Sequence, residues 1–300
     1  MPVIPIVLVL TAAAAPGAAA EPPKVERLEI VGRAIEHHGG DLYRRSETRL
    51  DLCSLSGCFR VRARIDGGLY EYEVEGEVRG VERRVLVSND RVERWDAGEP
   101  VALDAEGERR ERDFADARVY FPFLPFRLDD PGVYKQDLGL EEWGGRRLHK
   151  VKVTFEPGSS TAAEDQYLYW FDPESGRLEQ FAYSFSGNPG GLRFRRGHDY
   201  RRIGGILFFD QENLGIDEAG LTVDQVTPAF VAERMRKVSD VALRGIEVTP
   251  LGPRRPAARP AADRRHRLRA RDSRSPQRTF QSSHTPPAEA PRKQSIANPG

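Results

Sequence analysis

A stretch of strict alternation constrains this chain most. Phe59, Val61, Ala63 and Ile65 alternate with Arg60, Arg62, Arg64 and Asp66. Successive side chains of an extended strand point to opposite faces, so this pattern predicts a strand with one apolar and one charged side. Asp66-Gly-Gly68 predicts a turn, after which Tyr70, Tyr72 and Val74 alternate with glutamates. Two further runs, Val81–Val87 and Arg91–Trp95, are divided by the turn signal Asn89-Asp90. The first third of the chain therefore reads as an antiparallel meander.

More strands are predicted at Val133–Leu138, Arg146–Phe155, Gln166–Phe171, Leu178–Phe185, Gly191–Tyr200, Gly205–Phe209 and Met235–Val248. Their turn signals include Asp172-Pro-Glu-Ser-Gly176, Gly187-Asn-Pro-Gly-Gly191 and Gly204-Gly205. Spacing of about 8–14 residues fits a large antiparallel sheet or a partly closed barrel. Two segments read as helices. The first is "EPPKVERLEIVGRAIEHHGG", opened by Pro22-Pro23 and stopped by Gly39-Gly40. The second lies in "DAEGERRERDFADARVYF" and ends at Phe121, because Pro122 and Pro125 follow.

The two ends of the chain differ in kind from the middle. "MPVIPIVLVLTAAAAPGAAA" has no charged side chain, an apolar run Val3–Leu10 and small residues before Glu21. Residues 1–20 read as a signal peptide, which predicts export to the periplasm or secretion. The formal net charge of zero hides a split. Leu251–Gly300 carries 12 Lys and Arg against 3 Asp and Glu, and 8 of the 22 prolines. With one aromatic residue, this stretch cannot bury enough apolar surface to offset its ordering entropy. It reads as a disordered basic tail, either a solvated appendage or a contact for an anionic membrane or polyanion. Residues 21–250 remain as one domain. No sequence-specific nucleic-acid binding is expected.

Cys53 and Cys58 flank Ser-Leu-Ser-Gly between two alternating runs, so they would face each other across a hairpin. In an exported protein that placement predicts a structural disulfide.

The segment Tyr120–Phe126, "YFPFLPF", holds no polar side chain apart from the tyrosine hydroxyl, in a protein with 31% charged residues and a mean hydropathy of -0.57. Its prolines are expected to hold it extended across a concave sheet. As a lid it would wall an apolar cavity, with Tyr120, Phe121, Phe123 and Phe126 as ligand contacts. As a plug it would fill that cavity. Tyr167, Tyr169 and Phe171 alternate with Leu168 and Trp170, which predicts a strand covered on both faces. Tyr169, Trp170 and Tyr183 join the candidate ligand contacts. So do Arg193 and Arg195, which share one strand face and could clamp a carboxylate or phosphate, or simply form the charged outer face of the sheet.

The chain carries no G-x-S-x-G elbow, HExxH, phosphate-binding Gly loop or zinc spacing. His37-His38 could ligate metal with Glu164 or Asp165, or serve as a helix cap. Glu164 and Asp165 are adjacent and would point to opposite faces of a strand. No catalytic residue, metal or cofactor is assigned.

The stretches "ARVYFPFLPFRLDDPGV", "AEDQYLYWFDPESGRLEQFAYSFSGNPGGLRFR" and "YRRIGGILFFDQENL" resemble an uncharacterised family of exported bacterial proteins akin to the outer-membrane lipoprotein carriers (LolA/LolB-like). The resemblance spans about Val25 to Pro250 and departs at Ala163, where a histidine would be expected. It implies a mainly β fold, a large curved antiparallel half-barrel with an N-terminal helix and a covering helix. The functional expectation is a non-enzymatic protein that binds a hydrophobic or lipid-like ligand in the half-barrel. Two alternatives are an envelope scaffold whose basic tail contacts anionic surfaces, and a hydrolase, against which the missing nucleophile–base pattern argues.

Overall fold

Among the described residues thirteen antiparallel strands form one sheet in the order β6-β5-β4-β3-β2-β1-β13-β12-β11-β10-β9-β8-β7. The computed structural model describes residues 28–66, 68–156, 166–185 and 190–252. The leader, the opening of the first helix, the Glu164-Asp165 pair and the tail beyond Gly252 lie outside the described residues.

The chain builds two meanders. The first comprises β1 (Arg45–Ser54), β2 (Gly57–Asp66), β3 (Leu69–Val78), β4 (Val81–Ser88), β5 (Val92–Asp96) and β6 (Glu99–Val101). The second comprises β7 (Val133–Trp143), β8 (Arg146–Phe155), β9 (Tyr167–Phe171), β10 (Leu178–Phe185), β11 (Gly191–Ile203), β12 (Ile206–Ile216) and β13 (Arg236–Pro250). The last strand pairs antiparallel with the first, which joins the meanders into one sheet, and a bulge between Arg49 and Asp51 bends that seam. Tyr72 of β3 and Val151 of β8 stand near opposite ends of the strand order yet share one apolar cluster. Only a curved sheet brings them together.

Among the described residues three α-helices complete the fold. Helix α1 (Glu29–His38) buries Ile30, Val31, Ala34 and Ile35 at helical spacing against the concave face. Gly39 closes it with φ 133°, where the backbone of Gly205 and Ile206 approaches so closely that a Cβ would stand 3.0 Å from the Gly205 carbonyl oxygen. Helix α2 (Ala105–Tyr120) begins where the Asp104 carboxylate accepts the Gly107 N–H at 2.7 Å. It packs Ala115 and Phe114 over Phe59, Val74, Val85 and Val87. Helix α3 (Pro228–Arg234), which the sequence reading missed, starts on the Thr227 hydroxyl with Pro228 in its first turn. It covers the convex face, where Val223, Val226, Val231 and Met235 meet Leu168, Trp170 and Phe194. All five residues of β9 are buried, as a strand covered on both faces requires.

The stretch after α2 is not extended. Phe121–Phe123 and Phe126–Asp129 form two short 3₁₀ turns separated by Leu124 and a cis Pro125. Tight turns shorten the path, so Phe123, Leu124, Phe126 and Leu128 all drop into the concave core and are at most 2% exposed. Full burial of each side chain contributes roughly 2 kcal/mol.

The turn Ser54–Gly57 is closed by a Cys53–Cys58 disulfide. Reducing it is expected to lower stability by about 2 kcal/mol, measured by urea denaturation with and without reductant. Replacing fully buried Phe123 by Ala should cost about 3–5 kcal/mol in the same assay. Phe121→Ala, at a half-buried position of the same motif, should cost clearly less.

Candidate functional site

The structure brings most of the predicted ligand contacts together, but as a solid aromatic stack. The hydroxyls of Tyr120 and Tyr169 share a buried hydrogen bond of 2.8 Å. Phe121 stacks on Phe181 at 5.7 Å between ring centroids and lies 5.3 Å from Tyr183. Phe126 stacks on Tyr43 at 4.4 Å, and Phe123 meets the same tyrosine at 5.2 Å. Burial raises the pKa of Tyr120 and Tyr169 well above the usual phenol value, so both remain neutral, one donating to the other. This half of the concave face is filled.

Two predicted contacts lie elsewhere. Trp170 points away from Tyr169, because neighbours on a strand face opposite ways. It sits on the convex face 5.3 Å from Trp143 and donates to Glu141 at 2.6 Å. Arg193 is neutralised by Asp217 at 2.7 Å and lies over the Phe185 ring. Arg195 does join the aromatic group. Its guanidinium covers Phe121 at 4.4 Å and donates to the Tyr183 hydroxyl and Gln211 Oε1, both at 3.0 Å.

His38 is a structural residue. It is fully buried, its Nδ1 faces the Leu207 carbonyl oxygen at 3.3 Å, and its Nε2 receives the Leu178 N–H at 3.2 Å. Those partners demand a neutral ring with the proton on Nδ1, since a second ring proton would oppose the Leu178 N–H. Burial lowers its pKa to about 3. The carbonyl oxygen of His37 accepts from Arg202 at 2.8 Å. Among the described residues no three His, Cys, Asp or Glu side chains converge as metal ligands.

Sequence reading missed the space that is open. A cavity of about 710 Å³ lies over β2 and β3, between α2 and the turn after Leu128. Tyr43, Ile65, Tyr70, Tyr72 and Val87 form its apolar wall, and the rings of Tyr70 and Tyr72 stack at 4.8 Å. Arg109, Arg112, Asp113 and Asp116 of α2 line its other side, one helical stripe at i, i+3, i+4 and i+7 spacing. That stripe was legible in the charge-rich helix sequence, although what it faces was not. Arg112 donates to the Tyr70 hydroxyl at 2.8 Å, and Arg127 binds Asp116 at 3.0 Å. Burial opposes the charge on Arg127, yet Asp116 and Asp130 help hold its pKa well above the ordinary value. Burial pushes the Tyr72 phenol up to about 12. Among the described residues the buried Tyr43 hydroxyl has no hydrogen-bond partner.

An open, curved antiparallel sheet with a helix and an aromatic segment laid in its concave face defines the class to which this protein belongs. Among solved structures the chain is similar to a LolA superfamily protein from Nitrosomonas europaea, at 13% identity over 74% of this chain and 93% of that one, with a TM-score of 0.45. It is also similar to a DUF1329 family protein from Desulfovibrio piger, at 10% identity over 73% and 91% of the two chains, with a TM-score of 0.40. A putative outer membrane lipoprotein-sorting protein domain from Vibrio parahaemolyticus matches at 11% identity over 73% and 91%, with a TM-score of 0.39. A comparison with curated proteins finds no match. The model of DUF6503, a family of unknown function, matches residues 44–236, and the chain belongs to that family.

The neutral His38 makes stability depend on pH. Its folded pKa of about 3 lies below the unfolded value near 6.5, so the unfolded chain binds the extra proton between them. Stability is full above about pH 6.5 and is expected to fall toward acid by up to about 1.4 kcal/mol per pH unit. Urea denaturation of the wild type and His38→Gln between pH 7 and 4.5 checks this. The variant should be less stable at pH 7, with a shallower slope below it.

Proposed function

We propose that this protein binds a lipid-like, amphipathic molecule in the cavity beside Tyr43, Tyr70 and Tyr72. The observation that carries the reading is the cavity itself. Its volume of about 710 Å³ falls within the range of about 300–1,000 Å³ for ligand sites. Tyrosine faces, Ile65 and Val87 offer apolar surface to a chain, while the charged α2 stripe and Leu69, 55% exposed, stand toward solvent. The unpartnered Tyr43 hydroxyl offers one buried polar contact for a ligand atom. Export through the 1–20 leader accords with the Cys53–Cys58 disulfide, a bond that persists in oxidising compartments.

In this reading the Tyr120–Phe126 segment, which does not line the cavity, packs in the core next to it. Its burial also supports a second reading, a scaffold whose core is packed and whose partners bind outside.

Mass spectrometry of the purified full chain, before and after organic extraction, separates the two. An apolar species released in near-stoichiometric amount is expected, and Ile65→Trp, which narrows the cavity, should reduce it several-fold. Leu140→Ser, on the exposed side of β7 and outside the cavity, should retain it. A protein that emerges bare and takes up no fluorescent acyl probe would leave the scaffold reading standing.

A further inference from the structure

A second pocket, of about 370 Å³, opens on the other side of α2. Its rim is the disulfide-closed turn, with Ser54, Leu55 and Ser56, together with Val238 of β13. Inside lie Arg118, Arg195 and Asn213. Several half-buried arginines of this protein meet carboxylates: Arg62 meets Glu71 and Glu73, Arg94 meets Asp96 and Glu111, and Arg127 meets Asp116 and Asp130. Arg118 and Arg195 differ from these. Neither forms an ion pair among the described residues.

Arg118 lies between aromatic rings, 3.6 Å from the centroid of Phe114 and 4.1 Å from that of Phe59, and donates to the Phe114 carbonyl oxygen at 2.9 Å. The hydrogen-bond partners of Arg195 among the described residues, Tyr183 and Gln211, are neutral. The Nε of each is buried without an acceptor. Burial, with the charge of Arg83, lowers the pKa of Arg118 to about 10, so it is still cationic at neutral pH. The nearby Glu111 is committed to Arg94 at 2.9 Å and Arg83 at 3.7 Å. Asn213 donates its Nδ2 to the Ser239 hydroxyl at 3.0 Å, and its Oδ1, an acceptor, is turned to no donor among the described residues and contributes nothing to holding an anion. Two half-buried guanidinium groups, each with a buried Nε–H that lacks an acceptor among the described residues, thus line one small pocket. An uncompensated guanidinium is costly to hold away from water, and an anion that accepts its N–H groups repays that cost. The exposed side chains at the rim, Leu55 at 76% and Val238 at 37%, give apolar surface beside the charge.

We propose that this pocket is an oxyanion site, in which the guanidinium groups of Arg118 and Arg195 hold a carboxylate or phosphate. The same chemistry is offered by a free anion and by the head of an amphiphile whose tail lies on Leu55 and Val238. The site is separate from the tyrosine-walled cavity and does not depend on it.

Isothermal titration of the full chain at low salt tests this with sodium phosphate, octanoate, dodecyl phosphate and, as a control, dodecyltrimethylammonium. Binding of inorganic phosphate would assign a free-anion site. Binding of dodecyl phosphate or octanoate without phosphate would assign a headgroup site, and either result supports the proposal. Arg195→Gln should weaken the tightest anion by about tenfold or more, the loss expected for a charge-assisted bond. Arg195→Lys keeps the charge but loses the fork, and should weaken it less. Arg118→Gln removes packing as well as charge, so Val238→Trp at the exposed rim provides an independent block with the core intact. Thermal melting confirms that each variant is folded. Ile65→Trp, in the other cavity, should leave anion binding unchanged. The proposal is overturned if no anion binds, if the cationic detergent binds as tightly as dodecyl phosphate, or if Arg195→Gln and Val238→Trp both leave the affinity unaltered.

Discussion

The chain must cross its own sheet. It leaves the first meander at β6, one edge, and re-enters at β7, the opposite edge, so everything between has to span the concave face. A buried crossing exposes backbone groups to an apolar environment, and each must find a partner or be removed. Helix α2 satisfies its own backbone. The residues after it use 3₁₀ turns, and Pro122 and Pro125 carry no N–H to satisfy. Lys135 then donates to the Leu128 and Val133 carbonyl oxygens at 2.8 and 3.2 Å. The apolar character of "YFPFLPF" follows from this route, since a polar side chain there would need a partner in the middle of the core.

That crossing also divides the concave face. Where the aromatic segment lies over β8, β9, β10 and β12, the space is filled and the tyrosine pair of 120 and 169 closes it. Where only α2 lies over the sheet, gaps remain on two of its stripes. One stripe carries both signs of charge and faces the tyrosine-walled cavity, where Arg127 and Asp116 pair. The other carries Ala117, Arg118 and Phe121, with no acid among them, and faces the smaller pocket. A helix of low amphipathicity, with Glu111 and Arg118 turned inward, has this consequence: its buried charges need partners, and only some receive them from the protein itself.

The hairpin alternation around Phe59 and Tyr72 carried over directly into β2 and β3, paired in the register Phe59 with Gly76 through Asp66 with Leu69. Arg146–Phe155 and Leu178–Phe185 also appear with the bounds their periodicity implies. Alternation survives because one face of each strand is buried, and a one-residue slip would expose every apolar side chain. Helix α3 has a start signal in Thr227-Pro228, but its seven residues are too few for a helical period to show in the sequence. The extended reading of Tyr120–Phe126 failed for another reason. Proline excludes the helix interior and the central strand, but it does not choose between extended chain and tight turns.

What the sequence by itself determined is local and periodic: the strands, the two long helices, the disulfide hairpin and an apolar segment that had to be buried somewhere. Which surfaces meet was decided by the tertiary structure. Strand alternation separates Tyr169 from Trp170 onto opposite faces, but nothing in it says that one meets Tyr120 and the other α3. Nor does helical spacing reveal that Arg127 finds Asp116 while Arg118 finds only rings. Pairing of charges and closure of cavities depend on residues far apart in the chain, joined when β13 closes against β1, and periodicity carries no information over that distance.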